Sequence, residues 1–182
     1  ILRLLCDALK AAKAKRPRID IGHVAVFRSI VRAARVRPEL EAELFEALQR
    51  KDRPAIHGLT RKLPTKHRDA LGLLPELYGG PQILAVALKK LPGIAELKNA
   101  LATLRALARA CPIPASFDLA ELRGYHYHSG VVFDAYCEGV GGAASRPVAR
   151  GGRYDEVGKA FGRARPATGF SIDLRSLAGA VA

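Results

Sequence analysis

The residues best suited to chemistry lie in two short segments toward the C-terminal end. The first, Arg123-Gly-Tyr-His-Tyr-His-Ser-Gly130, sets His126 and His128 at i, i+2. On an extended strand that spacing turns both rings to one face. Two imidazoles on one face suit a metal, but no third ligand follows at diagnostic spacing, and Asp134 stands several residues on. No metal is therefore expected, and the pair reads as the polar face of a strand lining a cleft. The second segment is Arg150-Gly-Gly-Arg-Tyr-Asp155. Gly151 and Gly152 ahead of a helix allow close backbone approach, and a helix N-terminus offers free N–H groups to a carboxylate or phosphate. Arg153 would add a bidentate contact. The chain shows no Gly-x-Ser-x-Gly, no P-loop and no paired catalytic carboxylates.

The elements that must position these residues follow from periodicity. Residues 1–14 carry apolar side chains at helical spacing, so Ile1 is expected inside a helix and a further N-terminal portion is expected outside this chain. Ile19, Ile21 and Val24 predict a short strand, and a helix runs from Val26 to about Val36. Residues 38–110 are helical in pattern, with Pro38 suited to a first turn and Pro54, Pro64, Pro75 and Pro81 dividing the rest. A longer helix is predicted over about 94–110. Beyond Cys111 the texture changes. Residues 115–119 and 125–137 read as strands, Glu138 to Ala144 as a glycine-rich turn and 146–150 as the return strand. A short helix from Tyr154 to Phe161, a strand over 167–174 and a terminal helix complete the pattern. Strands joined by a hairpin beside a helical block predict an α+β fold with an antiparallel sheet.

The 182 residues carry 30 Lys and Arg against 17 Asp and Glu, a net +13. Residues 1–70 alone hold 17 basic and 8 acidic groups, a net +9. That excess favours polyanions. Arg28, Arg32 and Arg35 form one stripe at i, i+4, i+7, and with the Lys13–Arg18 run they would track phosphates. No aromatics are interleaved with them, which weakens the case for single-strand nucleic-acid binding. No apolar run is long enough to span a bilayer, and no signal peptide opens the chain. Cys6, Cys111 and Cys137 are distant, odd in number and form no CxxC pair. This argues against a disulfide scaffold or zinc ribbon and for a reducing cytoplasm.

Three segments, in order, resemble a known family. Arg123 to Phe133 resembles the histidine-specific signature of histidyl-tRNA synthetases, and Ala149 to Asp155 resembles their second histidine-binding segment. Pro166-Ala-Thr-Gly-Phe170 with the following helix stands where class II synthetases carry motif 3. Ile21 to Phe27 and the helical block fit the same relatives. The resemblance implies a class II synthetase-like antiparallel sheet flanked by helices. Residues 1–37 and 113–182 would be core, 38–112 an inserted helical block, and motifs 1 and 2 would lie upstream of Ile1. The departures are specific. Motif 3 of a working synthetase ends in Glu-Arg, and here those positions hold Arg175 and Ser176. Serine cannot replace the arginine that grips ATP. The acidic residue expected after Arg-Gly-x is His126, and the second tyrosine is His128.

In these departures the chain is similar to the ATP phosphoribosyltransferase regulatory subunits, a synthetase-like family that lacks the anticodon-binding domain and does not aminoacylate. That likeness implies a cytoplasmic, non-catalytic, allosteric partner of the short-form catalytic subunit. The hetero-oligomeric glycosyltransferase complex would join ATP to phosphoribosyl pyrophosphate, the first step of histidine biosynthesis. Histidine would be the effector. No cofactor, metal, membrane or nucleic-acid partner is implied. The candidate histidine-binding residues are Arg123, Tyr125, His126, Tyr127, His128, Gly151, Gly152, Arg153 and Tyr154. Arg123 or the helix N-terminus would hold the carboxylate, and a tyrosine hydroxyl or neutral imidazole would accept a hydrogen bond. A histidyl-tRNA synthetase fragment and a derived RNA-binding module are the alternatives.

Overall fold

The computed structural model describes residues 1–139 and 146–181. Most of the expected glycine-rich turn, residues 140–144, lies outside them. In chain order the elements are α1 (Leu2–Ala11), β1 (Arg18–His23), α2 (Ala25–Ala33), α3 (Pro38–Gln49), α4 (Arg53–Thr60), α5 (Thr65–Leu73), β2 (Tyr78–Gly79), α6 (Gln82–Lys90) and α7 (Ala95–Ala110). Then follow β3 (Ala115–Asp118), β4 (Val131–Tyr136), β5 (Ala149–Arg153), β6 (Thr168–Ile172) and α8 (Leu174–Val181), with single turns of tighter helix at Leu74–Glu76 and Val157–Phe161. Local chemistry starts several helices. Pro38 occupies the first turn of α3, where its missing N–H costs nothing. Asp52 caps α4 by accepting from the Ala55 amide at 3.0 Å.

The strands form one sheet in the order β2-β3-β1-β4-β5-β6. Every neighbouring pair is antiparallel except β1 and β3, which run parallel. The expected antiparallel sheet is therefore mixed. The long helical connection from α2 to α7 returns the chain to the end at which β1 began, as a parallel pair requires. Ile19, Ile21, Phe117, Phe133, Ala135 and Ala149 are buried. They join one continuous core with Phe27 and Ile30 of α2 and Leu97, Leu101 and Leu104 of α7. Each such large side chain contributes roughly 2 kcal/mol by leaving water.

Two further expectations are corrected. The strand expected over 125–137 begins only at Val131. Before it, Gly124 takes φ +69°, and its carbonyl accepts from the Tyr127 and His128 amides, both at 2.8 Å. These residues form a folded turn, so His126 and His128 do not share a strand face. The helix expected to open at Gly151-Gly152 is also absent there. Both glycines and Arg153 lie within β5, paired to β4 and β6, so they present no helix N-terminus. The local pattern suits either outcome, and the close approach of neighbouring strands decides it.

The basic stripe is dispersed as well. Arg28 turns inward, Arg32 pairs with Glu96 at 3.1 Å, and Arg35 lies beyond the end of α2 at φ +52°. In the Lys13–Arg18 run, Arg16 pairs with Glu138 at 3.3 Å and Arg18 lies 5.1 Å from the Tyr136 ring centre. Among the described residues no helix is long and apolar enough to cross a membrane.

Candidate ligand-binding site

Strand register brings four small residues into one row on the polar face of the sheet. Gly22, Val132, Gly152 and Gly169 stand side by side across β1, β4, β5 and β6. Partner residues of antiparallel strands project to the same side. Three glycines therefore leave a nearly bare floor, and other groups occupy the space their side chains would fill. A Cβ at Gly22 would meet the Glu121 Cβ at 2.8 Å, one at Gly152 would meet the His128 ring, and one at Gly169 would meet the Tyr154 hydroxyl. The next row on the same face is Asp20, Asp134, Arg150 and Ser171. A bare row beside a charged row makes a shallow trough, and the turn from Glu121 to Ser129 arches over it.

The charges are interlocked. Arg123 pairs with Asp134 and, at 3.5 Å, with Glu121, and Arg150 lies 3.8 Å from the other Asp134 oxygen. Asp134 is only 8% exposed. Its burial pushes its pKa up, with Arg123 and Arg150 opposing. Burial likewise raises Glu121. Burial works against the Arg123 guanidinium, but Glu121 and Asp134 outweigh it and hold its pKa up. Among the described residues, one buried Asp20 carboxylate oxygen finds no hydrogen-bond partner. This mixed cluster offers both signs of charge within a few ångströms, which suits a zwitterion better than a simple anion. Burial lowers His128, against the pull of its bond to the Gly124 carbonyl at 3.1 Å. A neutral ring donating from Nδ1 to that carbonyl leaves Nε2 as an acceptor.

Two adjoining cavities follow from this arrangement. One, about 220 Å³, is lined by Arg123, Gly124, His128, Asp134 and Gly151. The other, about 360 Å³, is lined by Tyr127, His128, Gly151, Gly152, Tyr154 and Gly169. Tyr127 and Tyr154 face each other there with ring centres 5.2 Å apart. Of the nine residues singled out in the sequence, six thus border the trough: Arg123, Tyr127, His128, Gly151, Gly152 and Tyr154. Three do not. Tyr125 is buried toward α2 and α3, and His126 lies against Phe45 with centres 5.5 Å apart. Arg153 projects to the opposite face and pairs with Asp155 at 3.0 Å. Sequence reasoning missed Asp20, Glu121 and Gly169 as trough residues. An isolated acid such as Asp20, between Ile19 and Ile21, was the available signal. Among the described residues no three His, Cys, Asp or Glu side chains gather as a metal requires.

A family model described as histidyl-tRNA synthetase matches residues 1–177. The chain belongs to the histidyl-tRNA synthetase family. Within that family the ATP phosphoribosyltransferase regulatory subunit of Azoarcus sp. is 53% identical over 179 residues, covering 98% of this chain and 46% of the relative. The chain thus spans about half the length of the curated relatives it matches. A crystal structure of an ATP phosphoribosyltransferase regulatory subunit/histidyl-tRNA synthetase from Bacillus halodurans superposes with TM-score 0.81 and 26% identity, over 98% of this chain and 48% of that one. A chain from an ATP phosphoribosyl transferase complex of Thermotoga maritima gives TM-score 0.65 at 19% identity, over 94% of this chain and 59% of that one, and so shows the fold alone. The family's α+β sheet is the one described above, and the trough lies on its polar face.

Proposed function

We propose that this chain is part of a non-catalytic regulatory subunit of ATP phosphoribosyltransferase, and that its trough binds histidine as a feedback effector. The observation that carries the reading is the 53% identity, over nearly the whole chain, to a relative bearing that name. The site's chemistry supports it. The mixed charges suit an α-amino acid, with Arg123 or Arg150 toward the carboxylate and Asp134 or Glu121 toward the ammonium. The neutral His128 and the hydroxyls of Tyr127 and Tyr154 would meet the imidazole. Motif 3 offers a further argument. Ser176 stands where an aminoacylating synthetase carries arginine, and its hydroxyl bonds Asp173 at 2.9 Å. An arginine's fixed charge is missing at that position, which argues against ATP-driven activation of the amino acid.

The partner in this reading is the short-form catalytic subunit, in a cytoplasmic hetero-oligomer that joins ATP to phosphoribosyl pyrophosphate, a glycosyl transfer. Histidine would inhibit by binding one state of the complex better than another, since equal affinity shifts nothing. Co-purification of the full-length protein with the short-form catalytic subunit tests the partnership, and tRNA charging with histidine tests the rival enzyme. A stable complex without charging is expected. Charging at ~1 per second or faster, or no complex at micromolar concentrations, overturns the reading.

A further inference from the structure

The turn that roofs the trough is fastened from the side facing away from it. Tyr125 is 5% exposed. Its ring meets Phe27 of α2 edge-on at 5.4 Å between centres and Phe45 of α3 at 5.5 Å. Its hydroxyl donates to Glu41 Oε1 of α3 at 2.6 Å. Arg28 of α2 lies 4.8 Å from the same ring centre and donates from Nη2 to the carbonyls of Tyr125 at 2.9 Å and His128 at 3.2 Å. Neither Glu41 nor Arg28 lines either cavity.

Backbone hydrogen bonds within the turn link this fastening to its other face. The Tyr125 amide donates to the Leu122 carbonyl at 2.9 Å, and those of Tyr127 and His128 close on Gly124. Arg123 and His128, on either side of Tyr125, face the trough. A displaced Tyr125 therefore drags both. The bond to Glu41 is a charge-assisted contact of the phenol, of the short and strong kind, and the Arg28 guanidinium stands beside the same hydroxyl. Burial, with that bond adding to it, pushes the Tyr125 pKa up to about 12, so the phenol remains a donor across the physiological range.

We infer that Glu41 is a positioning residue for the trough: its bond to Tyr125 sets the placement of Arg123 and His128 and ties ligand binding to helix α3. The inference rests on the histidine reading above. A site held a fraction of an ångström too loosely loses much of its affinity. By linkage, whatever displaces α3 alters affinity in the trough, and an occupied trough resists displacement of α3 by the same factor.

The test uses the full-length protein assembled with its catalytic subunit, titrated calorimetrically with L-histidine. Glu41→Gln keeps the shape of the side chain and removes its charge. Tyr125→Phe keeps the ring between Phe27 and Phe45 and removes the hydroxyl. Each is expected to weaken histidine about tenfold. The double variant should also be about tenfold weaker rather than about a hundredfold, because the same charge-assisted bond is weakened or removed in all three. Amide exchange should quicken over residues 122–128 and remain unchanged in α7, a pattern that general loss of stability does not produce. Wild-type affinity in both single variants overturns the inference and leaves the histidine reading standing, and so does additive loss in the double variant. A wild-type complex that binds no histidine overturns the reading, and the inference with it.

Discussion

Replacing Gly152 by alanine probes the floor of the trough directly. A Cβ there would lie 2.7 Å from the Val131 carbonyl oxygen and 2.5 Å from His128 Nε2, whereas ordinary contact begins near 3.4 Å. The imidazole can rotate away. The carbonyl cannot, because it belongs to the β4 backbone. The strand must yield by roughly 0.7 Å, at a cost typical of overpacking, about 1–3 kcal/mol. At roughly 2–4 °C per kcal/mol for a chain of this size, the melting temperature should fall measurably. If the trough holds histidine as proposed, displacing His128 also moves its Nε2 acceptor, so histidine affinity should drop more than tenfold, on the order of 1.4 kcal/mol or more. Gly151→Ala is the comparison. Its Cβ would project to the other face, against the Phe133 ring and the Gly169 carbonyl. It should destabilise the protein and disturb binding less. Differential scanning calorimetry and histidine titration of both variants decide the matter. A Gly152→Ala protein with wild-type melting temperature and wild-type affinity refutes the glycine-floor argument.

Other outcomes are expected on the same grounds. Gly58 lies inside α4 with no atom within 4 Å of an added Cβ, so Gly58→Ala should stabilise by about 0.5–1 kcal/mol in urea unfolding. Burial, with Arg28 and Arg153 nearby, lowers His23 from 6.5 to about 4. Its neutral form is the one the fold accepts. Its contribution is present above pH 6.5 and is lost as pH falls toward 4, by up to about 3 kcal/mol. His23→Asn should flatten that interval in paired urea titrations, and an unchanged difference between pH 7 and pH 4 refutes it. Arg123→Ala should weaken histidine by roughly 2–3 kcal/mol and Tyr154→Phe by about 1 kcal/mol, because a charge contributes more than a phenol. Calorimetry that reverses this order removes Arg123 from the site.

Much of the scaffold is legible in the sequence because its signals are local. Pro38 marks a helix start, Pro54 marks a division between helices, and Leu97, Leu101 and Leu104 mark one buried face. The site is less legible because its geometry depends on contacts between distant segments. The alternation of Tyr125 to His128 imitates a strand, yet Gly124 folds those residues into a turn. Gly151-Gly152 reads equally well as a helix approach and as a strand. What makes it a strand is the fit of bare backbone against Gly169 and beneath His128, which no local pattern reports. The spacing of Arg28 suggests a phosphate-binding stripe, whereas its guanidinium is consumed by carbonyls 97 and 100 residues away. Asp134 stands out as the lone acid in an apolar strand, and only the fold supplies Arg123 as its partner.

The sheet order also has a consequence for synthesis. Strand β1 lies between β3 and β4, and both are made long after it: Ile19 pairs with Ala115, 96 residues later, and Ile21 with Phe133, 112 residues later. At ~5–20 residues per second, β1 leaves the ribosome roughly 6–20 s before its second neighbour. Until β3 is made both of its edges are open, in the condition that invites pairing with another chain. Its composition suits the wait. Arg18 and Asp20 place charge on one side of Ile19 and Ile21, and within the helical block α3 packs on α4, α4 on α5 and α6 on α7, neighbour contacts that form on much faster timescales. Nascent chains truncated after α7 should therefore hold a folded helical segment and an unpaired strand, and the trough, which draws on β1, β4, β5 and β6 together, is completed only after the helices, once β6 has been made.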